Sequence, residues 1–296
     1  VLFVIAMGIV GGVVVLRKTW ITFRYGVAFV ALILLSFELI RFGWKFTPFT
    51  DVAFFFPETE IISRLTQLPK PFRVIAVDDR LLPPNVLSFY DIESISGYDP
   101  VHSLRYEEYI AAMERGEPNI KPPFGFTRII TPKTITSPLL SLLNVRYILS
   151  MDPLTGSNVR LLAEEGTTKL YKYVGGVPRV YLADQIITES SKEAVIHRLY
   201  EPSFILGKTA VVESPVSLVS APLQTDESVV ISSYEGDRMT IETTTKDVRL
   251  LVIGNMMDPH WKVTVDGKNS DVLGVNYLFF GVIVPSGTHQ VVVQYK

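Results

Sequence analysis

Residues 256–296 read MMDPHWKVTVDGKNSDVLGVNYLFFGVIVPSGTHQVVVQYK. Apolar and polar residues alternate over 261–265, which is the pattern of a half-buried β-strand. The dipeptide Asp266-Gly267 is a strong signal for a two-residue hairpin turn, and the PSG at 285–287 marks another turn. This stretch therefore predicts antiparallel strands joined by tight turns.

The same texture extends over the final third of the chain. The stretch between Glu201 and Thr225 is rich in Pro and Ser, and the surroundings of Pro215 to Pro222 are the expected domain boundary, after which helix signals end. Besides 261–265, the predicted strands are 239–243, 248–254, 277–284 and 289–295. Five strands with short turns predict a C-terminal antiparallel β-sandwich domain over 215–296.

The middle of the chain, 45–214, mixes short β-like runs with helical patterns and predicts an α+β domain. Ser103 is positioned as the N-cap of one helix, and Ser137 with Pro138 marks the start of another. The predicted strands are 73–77, 147–151, 169–174 and 179–187. The helix that begins at Ser103 is predicted to cover 103–115, and a further helix is predicted at 191–200.

The first forty residues are apolar enough for lipid. Residues 1–16, VLFVIAMGIVGGVVVL, carry no charge, and as a helix they span about 24 Å of the roughly 30 Å hydrocarbon core. We expect them to end a longer apolar segment. A second uncharged stretch, 25–37, predicts a second transmembrane helix, so residues 1–44 are expected to form two spans. Two buried helices of a soluble domain, or a signal peptide, are the alternatives.

Charge sets the expected orientation of these spans. The connection 17–24 holds three basic residues and no acid, which places it in the cytoplasm and the chain after about residue 44 outside the cell membrane. Glu38 precedes Arg41 by three residues, so we expect the two to pair near the helix end; a functional intramembrane carboxylate is the alternative. The predicted membrane-interface residues are Arg17, Lys18, Trp20, Arg24, Arg41 and Trp44.

Composition excludes several classes of function. A net charge of −2 and no dominant basic field argue against nucleic acid as a partner. The absence of cysteine removes disulfides and thiolate metal sites. The four histidines (102, 197, 260 and 289) show no metal-ligand spacing, and Walker, GxSxG, GxGxxG and EF-hand patterns are absent. The sequence therefore predicts no metal site and no cofactor.

Several segments carry a resemblance to a known family. They are PETEIISRL, PFRVIAV, LLPPNVLSFYDIESISGYDPVHSLRY, LLSLLNVRYILS, VPRVYL, DPHWKVTVDGK and NYLFFGVIVPSGTHQVVVQY. In order and spacing, nearly all of residues 50–296 resembles the C-terminal extracytoplasmic part of the YfhO family of bacterial polytopic membrane proteins. One departure is MMDPHW at 256–261, where such relatives usually have YYPGW.

The resemblance implies a large membrane protein of the GT-C glycosyltransferase type, which moves a sugar from a lipid carrier to an acceptor outside the membrane. The implied partners are the lipid bilayer, a polyprenyl-phosphate sugar and a glycan acceptor. In that architecture the catalytic carboxylate lies in an early outer loop, so the 296 residues are expected to be an accessory, non-catalytic region. The alternative is a membrane-anchored, non-enzymatic envelope protein that binds a glycan or a protein. No catalytic residue is predicted.

Two segments are candidates for substrate binding. In the first segment, hydrogen-bonding groups lie close together on and after a Gly-Tyr-Asp-Pro turn. Packing and helix initiation explain the same residues equally well. The second sets an indole face beside polar groups at a turn, as sugar sites do; its alternative is that the indole anchors a core strand. The candidates are Tyr98, Asp99, Arg105 and Tyr106 in the first segment, and Asp258, His260 and Trp261 in the second.

Two carboxylate doublets remain, Asp78-Asp79 and Glu107-Glu108. Glycoside hydrolysis needs two carboxylates about 5 to 10 Å apart across a cleft. Neighbouring residues of a strand point to opposite faces, so neither doublet makes such a pair by itself. We expect both to be solvated or to cap loops, and nothing in the sequence requires a soluble glycosidase.

Overall fold

The computed structural model describes residues 2–15, 21–46, 51, 54–78, 80–218 and 220–296. The chain divides into two compact units, Val1–Pro57 and Glu58–Lys296. The first unit is helical, and the second is mixed α+β and consists mostly of sheets. The predicted fold class is confirmed at this level.

The first unit contains helices α1 (Leu2–Val15) and α2 (Ile21–Phe46). An 18-residue window within residues 23–46 has a mean hydropathy of 1.9 and is unburied, so this helix is long and apolar enough to cross a membrane as an anchor, or to act as a signal sequence. The 14 residues of α1 span only about 21 Å. Among the described residues, one helix therefore meets the requirements of a span, and the predicted pair of spans is not supported.

The predicted interface residues fall into two groups. Arg17, Lys18 and Trp20 lie outside the described residues. Arg24, Arg41 and Trp44 lie on α2 with exposed side chains. Glu38 accepts a hydrogen bond from the Arg41 guanidinium at 2.9 Å, which is the expected pair near the end of this helix.

Helices of the second unit begin where the sequence provides caps. The Ser137 hydroxyl accepts from the Leu139 amide at 3.3 Å, with Pro138 in the first turn, and Ser191 accepts from the Ala194 amide. The predicted start at Ser137 is confirmed. Ser103 occupies the predicted N-cap position of the helix at Leu104–Arg115, but among the described residues its side chain makes no capping hydrogen bond. The helices are α3 (Glu60–Thr66), α4 (Leu104–Arg115), α5 (Pro138–Leu142) and α6 (Lys192–Tyr200), with a 3₁₀ helix at Val86–Tyr90.

The first sheet has five strands in the order β2-β1-β5-β7-β6. Strand β1 runs parallel to both of its neighbours, and the remaining pairs are antiparallel. Strands β3 and β4 form a separate two-stranded sheet. The bounds are β1 (Arg73–Ala76), β2 (Glu93–Ser94), β3 (Gly97–Tyr98), β4 (Ile129–Ile130), β5 (Val145–Ser150), β6 (Val159–Glu165) and β7 (Thr168–Tyr173).

Two further sheets follow, with strand orders β8-β13-β17-β16-β10-β9 and β11-β12-β18-β14-β15. The bounds are β8 (Val180–Leu182), β9 (Gln185–Thr188), β10 (Thr209–Val212), β11 (Ser228–Glu235), β12 (Arg238–Thr245), β13 (Arg249–Met256), β14 (Trp261–Val265), β15 (Lys268–Asn269), β16 (Leu273–Val275), β17 (Phe279–Val284) and β18 (Gly287–Tyr295).

The hairpin predicted at Asp266-Gly267 is present. Val265 pairs with Lys268, and both turn residues have positive φ, 50° for the aspartate and 77° for the glycine. That backbone is the one a two-residue type I′ turn requires. A β-strand lies at each of the five predicted C-terminal positions, and β11, β15 and β16 are additional.

Strand pairing crosses the boundary that the sequence suggested at 214/215. Strands β8, β9 and β10 precede it, yet they belong to the same sheet as β13, β16 and β17. The Pro- and Ser-rich segment is also fastened to that sheet, because the Arg249 guanidinium donates to the carbonyl oxygens of Ala221 and Pro222 and to Glu227. The division of the chain into two compact units falls after Pro57.

Apolar clusters join the sheets. One takes side chains from both C-terminal sheets, with Leu251 and Phe280 from the first and Ile241, Val263 and Val291 from the second. A larger cluster joins helices α4, α5 and α6 to the first sheet, which contains β1 and β5. It also includes the face of β13 that carries Leu250 and Val252. Residues 249–255 of β13 are buried, as expected of a strand covered on both faces.

A half-buried polar network ties all three large sheets to Glu93 on β2, whose side chain is 33% exposed. One carboxylate oxygen of Glu93 accepts from Arg73 at 3.1 Å and from Arg179 at 2.9 Å, and the other accepts from the Tyr234 hydroxyl on β11. Burial raises the pKa of Glu93, but Arg179 and Arg73 outweigh it, so the pKa lies below its ordinary value.

The two arginines of this network use their remaining donors on protein acceptors. The Arg179 side chain, 1% exposed, donates to the side-chain oxygens of Asn144 at 3.1 Å and Asn255 at 3.0 Å. Arg73 donates to the Leu143 and Gly254 carbonyls, both at 2.9 Å. Burial, and then the neighbouring Arg179, lower the pKa of Arg73.

Replacing Arg179 by Leu should lower the free energy of unfolding by about 3 kcal/mol. The side-chain oxygens of Asn144 and Asn255 and one carboxylate oxygen of Glu93 would each lose a charged hydrogen-bond donor. Urea unfolding of the full chain measures this. The control is Arg160→Leu, at an exposed position on β6, which should change stability by less than about 0.5 kcal/mol. Equal losses in the two variants would contradict the role of the network.

Stability should also depend on pH through Glu227. The hydrogen bond from Arg249 lowers the pKa of Glu227 from 4.5 to about 2. A carboxyl group whose pKa is lowered by folding contributes stability above its unfolded pKa, and this contribution is lost as the pH falls from 4.5 towards 2. Glu227→Gln should flatten that part of the stability profile, measured by urea midpoints at a series of pH values. An unchanged slope would refute the assignment.

Candidate functional site

A cavity of about 650 Å³ lies in the second unit. One wall is formed by residues 94–106, between β2 and the first turn of α4. The opposite wall contains Met256, Asp258 and Tyr295. The structure thus brings together two segments that the sequence analysis identified separately and that lie more than 150 residues apart.

The first wall is a loop held by hydrogen bonds. The Asn85 side chain donates to the Tyr98 carbonyl at 2.8 Å and accepts from the Tyr98 amide at 3.0 Å. Asp99 accepts from the Val101 amide at 2.8 Å, which closes a turn around Pro100. The loop therefore has a defined shape before any ligand binds.

His102 lies between two acceptors at this wall. Its Nδ1 is 2.9 Å from the carbonyl oxygen of Asp99, and its Nε2 is 3.3 Å from the Glu107 carboxylate. The hydrogen bond to the Asp99 backbone, and then the interaction with Glu107, raise the pKa of His102. An imidazole between two acceptors is favoured in its protonated form.

Tyr106 and Arg73 supply the inner part of the cavity. The Tyr106 hydroxyl donates to the Ile95 carbonyl at 2.5 Å, and burial raises the pKa of Tyr106 to about 12, so it is a neutral phenol at physiological pH. Arg73 reaches the cavity, but its guanidinium is engaged by Glu93, Leu143 and Gly254 as described above.

The second wall is built around Asp258. Its carboxylate accepts from the His260 amide at 2.8 Å and lies 2.6 Å from the His260 Nδ1. The backbone hydrogen bond is the main cause that lowers the pKa of Asp258. Asp258 is therefore ionised at neutral pH, so it acts as a hydrogen-bond acceptor rather than as a general acid.

Tyr295 completes this wall, and the sequence analysis did not identify it. The register of β14 with β18 sets Trp261 opposite Tyr295, with ring centroids 5.0 Å apart in an edge-on arrangement. Burial, and then the Asp258 charge, raise the pKa of Tyr295. Only strand register brings this tyrosine to the cavity, and no local sequence motif marks it.

Three of the seven predicted binding residues line the cavity: Asp99, Tyr106 and Asp258. Trp261 does not. Its indole N–H donates to the Met256 carbonyl at 3.0 Å, and its ring packs on Phe280 with centroids 5.9 Å apart. It contacts a separate cavity of about 320 Å³ beside Glu93.

The remaining predicted residues lie outside the lining of the larger cavity. Tyr98 is on the exposed side of the first wall, and His260 is exposed beyond Asp258. Arg105 points to another part of the fold, where it forms a two-pronged ion pair with Glu213 and donates to the Tyr277 carbonyl at 2.8 Å.

The carboxylate doublets differ from expectation at one position. Glu108 is buried, and its two oxygens contact Lys192 Nζ and the Tyr277 hydroxyl, each at 2.5 Å. Helical geometry turns Glu108 towards the core and leaves Glu107 beside His102. Asp78 pairs with Arg80 at 2.6 Å, and Asp79 lies outside the described residues. Within the described ranges, no three His, Asp or Glu residues come together as metal ligands.

The chain matches no known family model, no curated protein and no solved structure. The YfhO resemblance and the activity that it implies therefore stay predictions.

A titration should reveal the setting of His102. Its folded-state pKa is expected above the ordinary 6.5, and Glu107→Gln should lower it, because one acceptor loses its charge. The stabilisation from protonated His102 is present below pH 6.5 and is lost as the pH rises through the folded pKa. NMR of the histidine ring protons measures this, with exposed His260 followed in the same spectra as the internal reference. An unchanged His102 pKa in the variant would contradict the contact.

Proposed function

We propose that residues 58–296 form the outer, accessory region of a YfhO-like membrane glycosyltransferase, and that the larger cavity binds a neutral carbohydrate. In this proposal the region lies outside the cell membrane and α2 anchors it. It helps to position a lipid-linked sugar or a glycan acceptor, and bond transfer occurs elsewhere in the protein. The single observation that carries the proposal is the meeting of the two predicted binding segments at one cavity.

The chemistry of the cavity favours hydroxyl groups over anions. Asp99 and Asp258 present carboxylate acceptors, and the one lining guanidinium, that of Arg73, is already engaged. Among the described lining residues, His102 is likewise engaged, by Glu107 and the Asp99 carbonyl, so a phosphate or carboxylate ligand would meet carboxylates without an available cationic partner. Sugar hydroxyls donate to carboxylates, and tyrosine rings offer apolar faces beside them.

Ser96 adds a further polar group. In the described part of the chain, its hydroxyl oxygen is buried at the cavity wall without a hydrogen-bond partner. Buried polar atoms in native proteins are nearly always satisfied, so such an atom beside a cavity is suited to a ligand hydroxyl or an ordered water. The volume of about 650 Å³ lies within the range of small-molecule sites.

The membrane setting is supported by the residues around the end of α2. Trp44 and Phe46 are exposed near its end, and Phe54 and Phe55 follow before the second unit begins. Aromatic residues concentrate at the interface between a bilayer and water. In the proposed multi-pass arrangement, α1 belongs to a first span and the basic connection 17–24 faces the cytoplasm.

The two C-terminal sheets are proposed to form a β-sandwich. They share one apolar cluster, to which residues of β8, β13 and β17 contribute from one sheet and residues of β12, β14 and β18 from the other. Inner faces that interdigitate in this way are the defining feature of the architecture. Such a module supplies a rigid support for Asp258 and Tyr295.

A membrane-anchored binder without enzymatic activity is the second candidate. The lowered pKa of Asp258 argues only against glycoside hydrolysis in this cavity, which needs one carboxyl group that is protonated near neutral pH, and it is compatible with both candidates. The two candidates agree on carbohydrate binding by this cavity. They differ in whether the whole protein transfers a sugar from a polyprenyl phosphate. An assay of that transfer, with the outer region present and with it deleted, distinguishes them.

Binding of neutral sugars tests the proposal directly. Saturation-transfer NMR on the full chain in nanodiscs should detect binding of maltotriose or N-acetylglucosamine oligomers but not of phenyl phosphate, an anion whose ring protons are visible to the same method. Asp258→Asn should weaken binding about tenfold, because a charged acceptor is lost.

The matched control is Asp271→Asn, an exposed carboxylate outside the cavity lining, which should bind as the wild type does. Circular dichroism verifies that both variants fold. If no neutral sugar binds, or if both variants bind equally well, the carbohydrate site is refuted.

A further inference from the structure

The first wall of the cavity carries apolar side chains into solvent. Val101 is 87% exposed, Leu104 56% and Tyr98 42%. Ile129, directly opposite Tyr98 across the β3–β4 pair, is also 42% exposed. These four residues are referred to below as the apolar rim.

Hydrogen bonds hold the backbone of the apolar rim in a fixed position. Asn85 fixes Tyr98 through two backbone hydrogen bonds, and the Asp99 amide donates to the Arg128 carbonyl at 3.0 Å. The turn at Asp99 fixes the backbone at Val101. The hydrogen bonds of this loop hold the Val101 side chain in solvent, where it cannot pack against the rest of the protein. Exposed apolar side chains grouped on an ordered loop are typical of a surface that contacts an apolar partner.

The rim stands at the edge of the cavity. Val101 is both its most exposed member and part of the cavity lining. Arg128 accompanies the rim, with its guanidinium carbon 5.9 Å from the centre of the Tyr98 ring. Aromatic, aliphatic and basic side chains in one patch match the boundary between lipid headgroups and acyl chains.

Chain length limits how far the second unit can lie from a bilayer that holds α2. Glu58 follows Phe46 by 12 residues, which even fully extended reach roughly 40 Å. A bilayer surface is therefore always near the second unit, at a high effective concentration. This proximity favours lipid over a free protein partner as the occupant of the rim.

We propose that the apolar rim docks on the outer surface of the bilayer that α2 crosses. Docking sets the cavity mouth at the level of the headgroups, where the sugar of a lipid-linked carrier is presented while its chain stays in the membrane. The inference rests on the proposed function in taking α2 as an anchor. It does not depend on which sugar the cavity binds.

The absence of cysteine from the chain allows a clean test. Val101→Cys and Leu104→Cys, each labelled with the fluorophore NBD, are reconstituted as the full chain in vesicles of equal parts phosphatidylcholine and phosphatidylglycerol. Lipid-borne nitroxide should quench both labels about twofold more strongly than a label at Val230→Cys, and aqueous iodide should quench them less. Val230 is a matched apolar control on β11, 58% exposed.

A label at Leu35→Cys on α2 separates this inference from the anchoring on which it rests. Lipid quenching at Leu35 together with quenching at Val101 and Leu104 supports docking. Lipid quenching at Leu35 alone overturns the docking proposal and leaves the anchor intact. No lipid quenching at any of these positions overturns the anchor, and docking with it.

Discussion

One half-buried carboxylate, that of Glu93, constrains the position of three sheets. Apolar clusters hold those sheets together, but hydrophobic contacts have no directional preference. By themselves they leave the relative position of the sheets loosely specified. A buried charge is costly unless every partner is placed well. Arg73, Arg179 and Tyr234 meet this requirement from separate elements. The network therefore fixes the β1–β2 edge against the C-terminal strands at a defined distance.

The candidate site follows from that constraint. Its first wall continues directly from Glu93 through residues 94–106. Its second wall begins at Met256 on β13, directly after Gly254 and Asn255, which are hydrogen-bonded to Arg73 and Arg179. A shift of one sheet against the other would open or close the cavity between Asp99 and Asp258. The polar network therefore supports the shape of the cavity, although of its charged groups only Arg73 is part of the cavity lining.

The sequence predicted features with local causes and missed those set by long-range pairing. The turn at Asp266-Gly267 and the cap at Ser137 each have a signature within a few residues, so both were predictable. Strand β2 is two residues long and has no periodicity to detect. Tyr295 reaches the cavity only through strand register, which is set across the sheet. Glu108 is buried by a lysine and a tyrosine from distant segments, and a local reading assigns it to solvent.

Hydrogen–deuterium exchange on Glu93→Gln tests the central claim most directly. If Glu93 positions the sheets, amides in 94–106 and 254–258 should lose protection together, while the β12–β18 ladder stays protected because its contacts lie within one sheet. The variant retains a similar shape and removes only the charge. Loss of protection confined to the immediate neighbours of Glu93, with both cavity walls unchanged, would contradict the account.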